Sequence, residues 1–289
     1  MSTPSVAAVI VSYNAGEELR RALQSVVDEC GTSGWEAVVV DNASADDSVA
    51  VAESFAPAVR VIRNARNVGF GAGINQGLAA TTAPLVLIMN PDCRLVAGAI
   101  AGMTAALLRH DHCAIVGPRI LNPDGSVQGS ARGDPDMLTG FFGRSAALRR
   151  LLPGLSVSKR NVVSVTEIAA GETAVVDWLS GACMLARREA LEAVRGFDEG
   201  YFLYWEDADL CRRLRAAGYH VRYVPSTTAV HRVGESSRSA RAASIRAFHE
   251  SAYRYYATHV APSSLDPRRP LARLLLAVRR AIALRAARG

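Results

Sequence analysis

The chain has no apolar run near the ~18 residues that a membrane-spanning helix needs, and Met1–Pro4 leads straight into a strand pattern. No spanning segment, no signal peptide and a cytoplasmic location are therefore expected. Paired cysteines are lacking too. Cys30, Cys93, Cys113, Cys183 and Cys211 are odd in number and form no CxxC pair, so they read as reduced, mostly packed thiols and not as a disulfide framework or zinc site. Internal repeats and low-complexity segments are absent. The body also lacks net charge. The whole chain carries +6, but from Pro262 onward seven arginines face one aspartate, which accounts for all of it. A balanced body argues against a nucleic-acid partner, whereas the basic tail is suited to an anionic surface.

What is present fits a globular protein: 289 residues, 49% hydrophobic and 21% charged, enough for one large α/β domain or two small ones. Val6–Val11, Ala37–Val40, Val59–Ile62, Leu85–Met89 and Ala114–Val116 predict buried strands. Helical patterns fall between them at Glu17–Asp28, Asp46–Phe55, Gly71–Ala80 and Ala97–Arg109. Such alternation predicts a mostly parallel sheet covered by helices, with ligands bound beyond the strands' carboxyl ends. The residues there are Ser12-Tyr13-Asn14, Asp41-Asn42, Arg63-Asn64 and Asn90-Pro91-Asp92. Periodicity weakens from Arg132 to Thr173, apart from a short helical pattern at Met137–Leu152, and this stretch reads as an excursion over the site or as a surface insertion. Order returns with strands at Ala174–Leu179 and Ala182–Ala186 and a helix at Arg187–Val194. Strands follow at His220–Val224 and Thr228–Val230, and helices at Ser239–His259 and Leu271–Ala287.

Three carboxylates carry the chemistry. Asp41 ends the second strand, where it can accept from a nucleobase N–H or a ribose hydroxyl; helix capping is the plainer role for its neighbours Ser44 and Asp46. Asp92 ends a buried strand after Asn90-Pro91, a rigid edge suited to a metal-bound diphosphate, although Asn90-Pro91 also suits a type I turn. Asp207 heads an amphipathic helix whose apolar stripe continues through Leu210, Cys211, Leu214 and Gly218, with Glu206 and Asp209 on other faces. A carboxylate so placed is a cap, a paired charge or a base. His231 directly follows a strand and can supply a nitrogen ligand. The glycine-rich turn Asn67-Val-Gly69-Phe-Gly71-Ala-Gly73-Ile-Asn75 enters a helix whose backbone N–H groups could meet phosphate or a nucleoside. As a dinucleotide fingerprint it fails, because position 74 is Ile74.

Taken together and in order, these motifs resemble the inverting nucleotide-sugar glycosyltransferases of family 2, which have the GT-A fold. The likeness runs over roughly residues 5–235 and includes Val-Ile-Val-Ser-Tyr-Asn14, Val-Asp41-Asn-Ala-Ser, the glycine-rich turn and Asn90-Pro-Asp92. It continues through Trp178-Leu-Ser-Gly-Ala-Cys-Met-Leu185, Gly196-Phe-Asp-Glu199 and Trp205-Glu-Asp-Ala-Asp-Leu210. The chain is most similar to the rhamnosyltransferase-like branch that builds bacterial cell-wall and surface polysaccharides.

The resemblance implies roles. Asp207 would be the catalytic base. Ser12, Tyr13, Asn14, Asp41, Asn67, Gly69, Asn75 and Asn90 would bind the donor, and Trp205 and Glu206 the acceptor. Asp92 and His231 would hold Mg2+ or Mn2+, although the family often carries two or three aspartates where Asn90 and Pro91 stand. The implied donor is deoxythymidine-diphosphate rhamnose, with a uridine-diphosphate hexose or galactofuranose as the alternative, and the acceptor is a glycan or polyprenyl-diphosphate-linked sugar. Two other classes fit the residues less well. A nucleotidyltransferase would need a basic phosphate-gripping loop, which residues 12–19 lack, and a non-catalytic binding module has no use for Glu206-Asp207-Ala-Asp209.

The expected organisation is a transferase domain over 1–235, with a donor half over 1–131 and an acceptor half over 132–235, and a helical extension over 236–289. In residues 268–289, Leu271, Leu274, Leu275, Val278 and Ile282 form one apolar stripe flanked by Arg273, Arg279, Arg280 and Arg285. That pattern predicts peripheral attachment to the inner face of the plasma membrane. The alternative is packing on the domain or on a second subunit in a homodimer.

Overall fold

A computed structural model describes residues 5–30, 35–134, 171–232 and 241–287. The predicted helical pattern at Met137–Leu152 lies outside these residues. The valine-rich runs form strands because both of their faces can be buried. They are β1 (Val6–Ser12), β2 (Trp35–Asp41), β3 (Val59–Arg63), β4 (Leu85–Met89), β5 (Cys93–Leu95) and β6 (Cys113–Leu121). The helices between them are α1 (Gly16–Cys30), α2 (Ser48–Glu53), α3 (Phe70–Ala79) and α4 (Ala99–Leu108). Later come β7 (Ala131–Arg132), β8 (Ala174–Val176), β9 (Trp178–Leu179), β10 (Cys183–Arg187), α5 (Arg188–Ala193), α6 (Glu206–Ala216) and β11 (His220–His231). The chain closes with α7 (Arg241–Tyr255), a π-helical turn (Tyr256–Val260) and α8 (Arg268–Ala286).

Nine strands form one sheet in the order β3-β2-β1-β4-β10-β6-β11-β5, with β8 beside β11. Strands β3, β2, β1 and β4 run parallel, as predicted. The sheet is mixed beyond that, because β10 lies antiparallel between β4 and β6. Its five-residue apolar run is buried on both faces, and such a run carries no sign of its direction. The two strands predicted around Pro225 are one, β11, whose register against β6 shifts between Val224 and Thr228; Pro225 has no N–H to give the ladder.

The two faces of the sheet make two apolar clusters. Ile10, Leu87 and Met89 meet Leu19, Leu23 and Val51 on one side, together with Met103 and Leu107 of α4. On the other, Val9, Val38 and Ile88 meet Ile74, Leu191, Leu210 and Leu214. Helix α3 lies very close to β1: a Cβ on Gly77 would come within 2.2 Å of Val9 Cγ1. Residues of opposite direction bring different ends to the same edge. The carboxyl ends of β1, β2, β3 and β4 and the amino end of β10 all meet there, since Ser12 pairs with Asp41, Asp41 with Arg63, and Met89 with Cys183.

Helix α6 departs from its predicted faces. Leu210, Cys211 and Leu214 are buried as expected, but so are Glu206 and Asp209. The cause is the C-terminal extension, which covers the second side of α6. His259 donates to Asp209 Oδ1 at 2.7 Å, and Arg213 Nε donates to Oδ2 at 2.7 Å. Burial pushes Asp209 up, but the hydrogen bond from His259 and the charge of Arg213 outweigh it and hold the carboxyl below its usual value. This network fastens the extension to the helix that begins with Asp207.

Candidate active site

At the sheet's carboxyl edge, Asp41 and Ser12 are buried side by side. Asp41 Oδ2 accepts the N–H of Ser44 at 3.0 Å, while its Oδ1 and the hydroxyl of Ser12 are buried with no partner. Buried polar atoms are nearly always paired, so this orphaned carboxylate oxygen suits a ligand's N–H or hydroxyl. Tyr13 is half-buried beside it. Asn14 has protein partners: its N–H donates to Ser44 Oγ at 2.9 Å and its Oδ1 accepts from Ala45 at 2.7 Å. It joins the loops after β1 and β2, so its side-chain oxygen is not a free donor-site group.

The glycine-rich turn is used differently from its prediction. Gly69 N–H donates to Asn67 Oδ1 at 2.9 Å, and Phe70 N–H donates to the carbonyl of Phe202 at 3.0 Å. Gly69 has φ +92°, and a Cβ there would stand 2.5 Å from the Phe202 oxygen. These groups dock the start of α3 on the strand of chain that leads into α6. Asn75 is likewise occupied: its Oδ1 accepts from Phe197 N–H, and its Nδ2 donates to Phe197 O and Glu199. Gly69 and Asn75 thus tie α3 to the chain that precedes α6, and Asn67 shapes the turn itself.

Asp92 and His231 are brought together by the antiparallel pairing of β11 with β5, which sets His231 opposite Cys93. His231 Nε2 lies 3.1 Å from Asp92 Oδ1 and 3.3 Å from Asn90 Nδ2. Both residues are buried. One carboxylate oxygen and one imidazole nitrogen fit a small divalent cation, and their spacing is close to the ~3 Å edge of an octahedral site with ~2.1 Å bonds. Among the described residues no group of three or more His, Cys, Asp or Glu gathers for a metal. Two protein ligands suit an ion that takes its remaining ligands from phosphate and water.

Asp207 stands in the first turn of α6, after Tyr204 and Trp205, both at left-handed φ (68° and 70°). Consecutive non-glycine residues there are strained, a condition that clusters at functional sites. Asp207 Oδ2 accepts Gly181 N–H at 3.0 Å and Oδ1 accepts Ala208 N–H at 2.8 Å. Next along the chain, Ala182 accepts the N–H of Asn90 at 3.0 Å. One short turn therefore holds the carboxylate of Asp207 and the metal-suited strand end in fixed relation. A helix start favours an ionised carboxylate. Burial nevertheless raises the pKa of Asp207, only partly offset by the N–H groups of Gly181 and Ala208 and the charge of Arg132. Glu206 is raised well above its usual value by burial and by the charges of Asp207 and Asp209. Its carboxyl is enclosed, with Oε2 unpartnered. The ring of Trp205 packs 5.2 Å from Tyr255 and 5.9 Å from Phe248 of the extension.

Arg132 was missed because it falls where periodicity fades. Its guanidinium lies over the Trp178 ring at 5.3 Å, and its charge lowers the pKa of Asp207. In the role of a base, which works when ionised, Asp207 would make activity rise with pH through its raised pKa. Arg132→Gln removes a stabilising charge and should move that acidic limb to higher pH, while Arg132→Lys should move it less. Rate–pH profiles check this; an unmoved limb in Arg132→Gln would separate the two residues.

The glycosyl transferase family 2 model matches residues 7–195, and the glycosyl transferase family group 2 model matches residues 157–284. The N-acetylglucosaminyl-diphospho-decaprenol L-rhamnosyltransferase of Mycobacterium tuberculosis is 33% identical over 264 residues, spanning 86% of this chain and 83% of its own. The chain belongs to glycosyltransferase family 2. Within it, this is a rhamnosyltransferase-like glycosyltransferase. The rhamnosyltransferase WbbL of Escherichia coli is 45% identical over 83 residues, 29% of this chain and 31% of its own. Among solved structures, GalNAc-T7 with UDP, GalNAc and Mn2+ aligns over 91% of this glycosyltransferase and 52% of its own chain (TM-score 0.65, 18% identity). The mannosyltransferase PcManGT of Pyrobaculum calidifontis, with GDP-mannose and Mn2+, aligns over 100% of this chain and 77% of its own (TM-score 0.59, 19% identity). The fold of this family 2 enzyme is GT-A.

Proposed function

We propose that this glycosyltransferase moves rhamnose from deoxythymidine-diphosphate rhamnose to a hydroxyl of N-acetylglucosamine carried on a polyprenyl diphosphate, inverting the anomeric centre. The observation that carries this reading is the turn at Gly181–Ala182, which holds Asp207 beside the Asn90–Asp92 strand end. Residues 1–131 hold the donor, with the nucleobase or ribose on the orphaned oxygen of Asp41 and on Ser12. The acceptor half, among whose described residues are Gly181 and Asp207, would take the acceptor. Asp207 takes the proton of the acceptor hydroxyl. The oxygen then forms its bond to the anomeric carbon from the face opposite the diphosphate, and the leaving C–O bond sends its electron pair to the diphosphate. Asp92 and His231 would hold Mg2+ or Mn2+, whose charge would stabilise that diphosphate. The relative's activity supports the transferred rhamnosyl group and the acceptor chosen here. Saturation-transfer NMR with the two donors tests the choice: stronger binding of a uridine-diphosphate sugar than of deoxythymidine-diphosphate rhamnose would overturn it.

The acceptor's lipid places the reaction at a membrane, and the reading extends to how the enzyme reaches it. Helix α8 docks on α7 through Ala272 and Leu276, which are buried. The predicted stripe is another face: Leu271, Leu274, Leu275, Val278 and Ile282 are 42–62% exposed. Among the described residues no helix is long and apolar enough to cross a membrane. An exposed apolar stripe with flanking arginines suits the anionic inner leaflet, where each basic residue contributes about 1 kcal/mol. Leu274→Glu with Val278→Glu changes only exposed positions. It should abolish sedimentation with phosphatidylglycerol vesicles and leave donor binding intact. A change from dimer to monomer with no effect on vesicle binding would make the stripe a subunit interface.

A further inference from the structure

Gln128 has no place in the reaction described so far, yet its amide is fully engaged beside His231. It follows a tight turn in which Asn122 N–H donates to Ser126 O at 2.8 Å and Gly125 N–H to Asn122 O at 2.9 Å; its own N–H then donates to Ile120 O at 2.8 Å. The side chain is thus presented from a firm backbone. Gln128 Nε2 donates to the backbone carbonyl of His231 at 2.7 Å and to Asn122 Oδ1 at 2.8 Å. Gln128 Oε1 lies 3.1 Å from His231 Nδ1.

These contacts fix a proton. A backbone carbonyl only accepts, so the amide group facing His231 O must be the NH2, and the oxygen must be the atom that meets Nδ1. An amide oxygen also only accepts, so Nδ1 carries the hydrogen. In the neutral ring Nε2 is then bare. It faces Asp92 Oδ1 at 3.1 Å, and Asn90 Nδ2 is placed to donate to it at 3.3 Å. A lone pair and a carboxylate oxygen aimed at each other at this distance repel unless positive charge lies between them.

We propose that Gln128 is a positioning residue which, by holding the proton of His231 on Nδ1, keeps Nε2 bare for a divalent cation shared with Asp92. The cation half of this rests on the metal reading given above; the proton half does not. Outer partners of this kind typically change metal affinity 10–100-fold when removed.

The test reads the imidazole directly. In protein labelled with 15N-histidine and held metal-free at about pH 9, where a free imidazole is neutral, long-range 15N–1H correlation distinguishes the two tautomers. The wild type should show His231 protonated on Nδ1. Gln128→Met, which cannot accept, should shift the ring toward Nε2–H and weaken Mn2+ binding about 10–100-fold by titration. Gln128→Glu, which still offers an oxygen to Nδ1, should keep the wild-type tautomer even where its melting temperature falls, which separates this role from a purely structural one. A wild-type spectrum with the proton on Nε2 overturns the proposal without recourse to any variant, and so does a Gln128→Met protein that keeps Nδ1–H. A tautomer switch in a protein whose wild type binds no Mn2+ overturns the cation half and the metal reading, and supports the control of His231 by Gln128.

Discussion

Asp207→Asn should lower transfer by a factor of ~100–10,000, the range of a positioned general base, and leave donor affinity unchanged. The amide has the shape of the carboxylate, but its single oxygen can accept only one of the two N–H groups, of Gly181 or of Ala208, that the two carboxylate oxygens now take. What it cannot do is take a proton. In the proposed reading the donor binds at the Ser12–Asp41 edge, whose orphaned oxygens Asp207 does not partner. Turnover and donor affinity must therefore be measured separately, by product formation and by calorimetry. Near-normal turnover would remove Asp207 from the role of base. Parallel loss of turnover and donor binding would mean that the variant has disturbed the Gly181 turn.

Asp92→Ala should remove the Mn2+-dependent part of nucleoside-diphosphate binding, by roughly 10–100-fold or more, since a first ligand matters at least as much as an outer partner. Binding measured without metal should change little. His231→Ala should give a milder version, because the carboxylate supplies the charge and the imidazole only a neutral nitrogen. The distance of 3.1 Å between the two donor atoms is what joins their fates. Activity that survives exhaustive chelation with EDTA would overturn the metal assignment for both residues.

Much of the donor edge was legible in the sequence because it follows from local pattern. Runs such as Val6–Val11 and Leu85–Met89 are apolar throughout, which marks strands buried on both faces, and a parallel arrangement then points to their carboxyl ends. Ser12, Asp41 and Asp92 stand there. The pairing of Asp92 with His231 was suggested by resemblance to the family and could not be read from spacing, since it depends on the register of β11 against β5. The antiparallel placement of β10 was hidden for a similar reason.

The glycine-rich turn misled because glycine answers two needs alike. It lets a backbone approach a ligand, and it lets one chain approach another; Gly69 meets the carbonyl of Phe202. The burial of Asp209, off the apolar stripe, could not be foreseen because the helical wheel of α6 carries no mark of what covers its second side. That cover comes from His259, far along the chain. Gln128 and Arg132 gave no periodic signal at all, since each acts through one hydrogen-bonded or charged neighbour.

The central claim is inverting transfer by a single displacement with Asp207 as base. Its most direct test is the anomeric configuration of the product made by purified enzyme from deoxythymidine-diphosphate rhamnose and an N-acetylglucosaminyl-diphospho-lipid, read by the one-bond C1–H1 coupling in NMR. The account predicts a rhamnoside of configuration opposite to that of the donor. A product that retains the donor's configuration would contradict it.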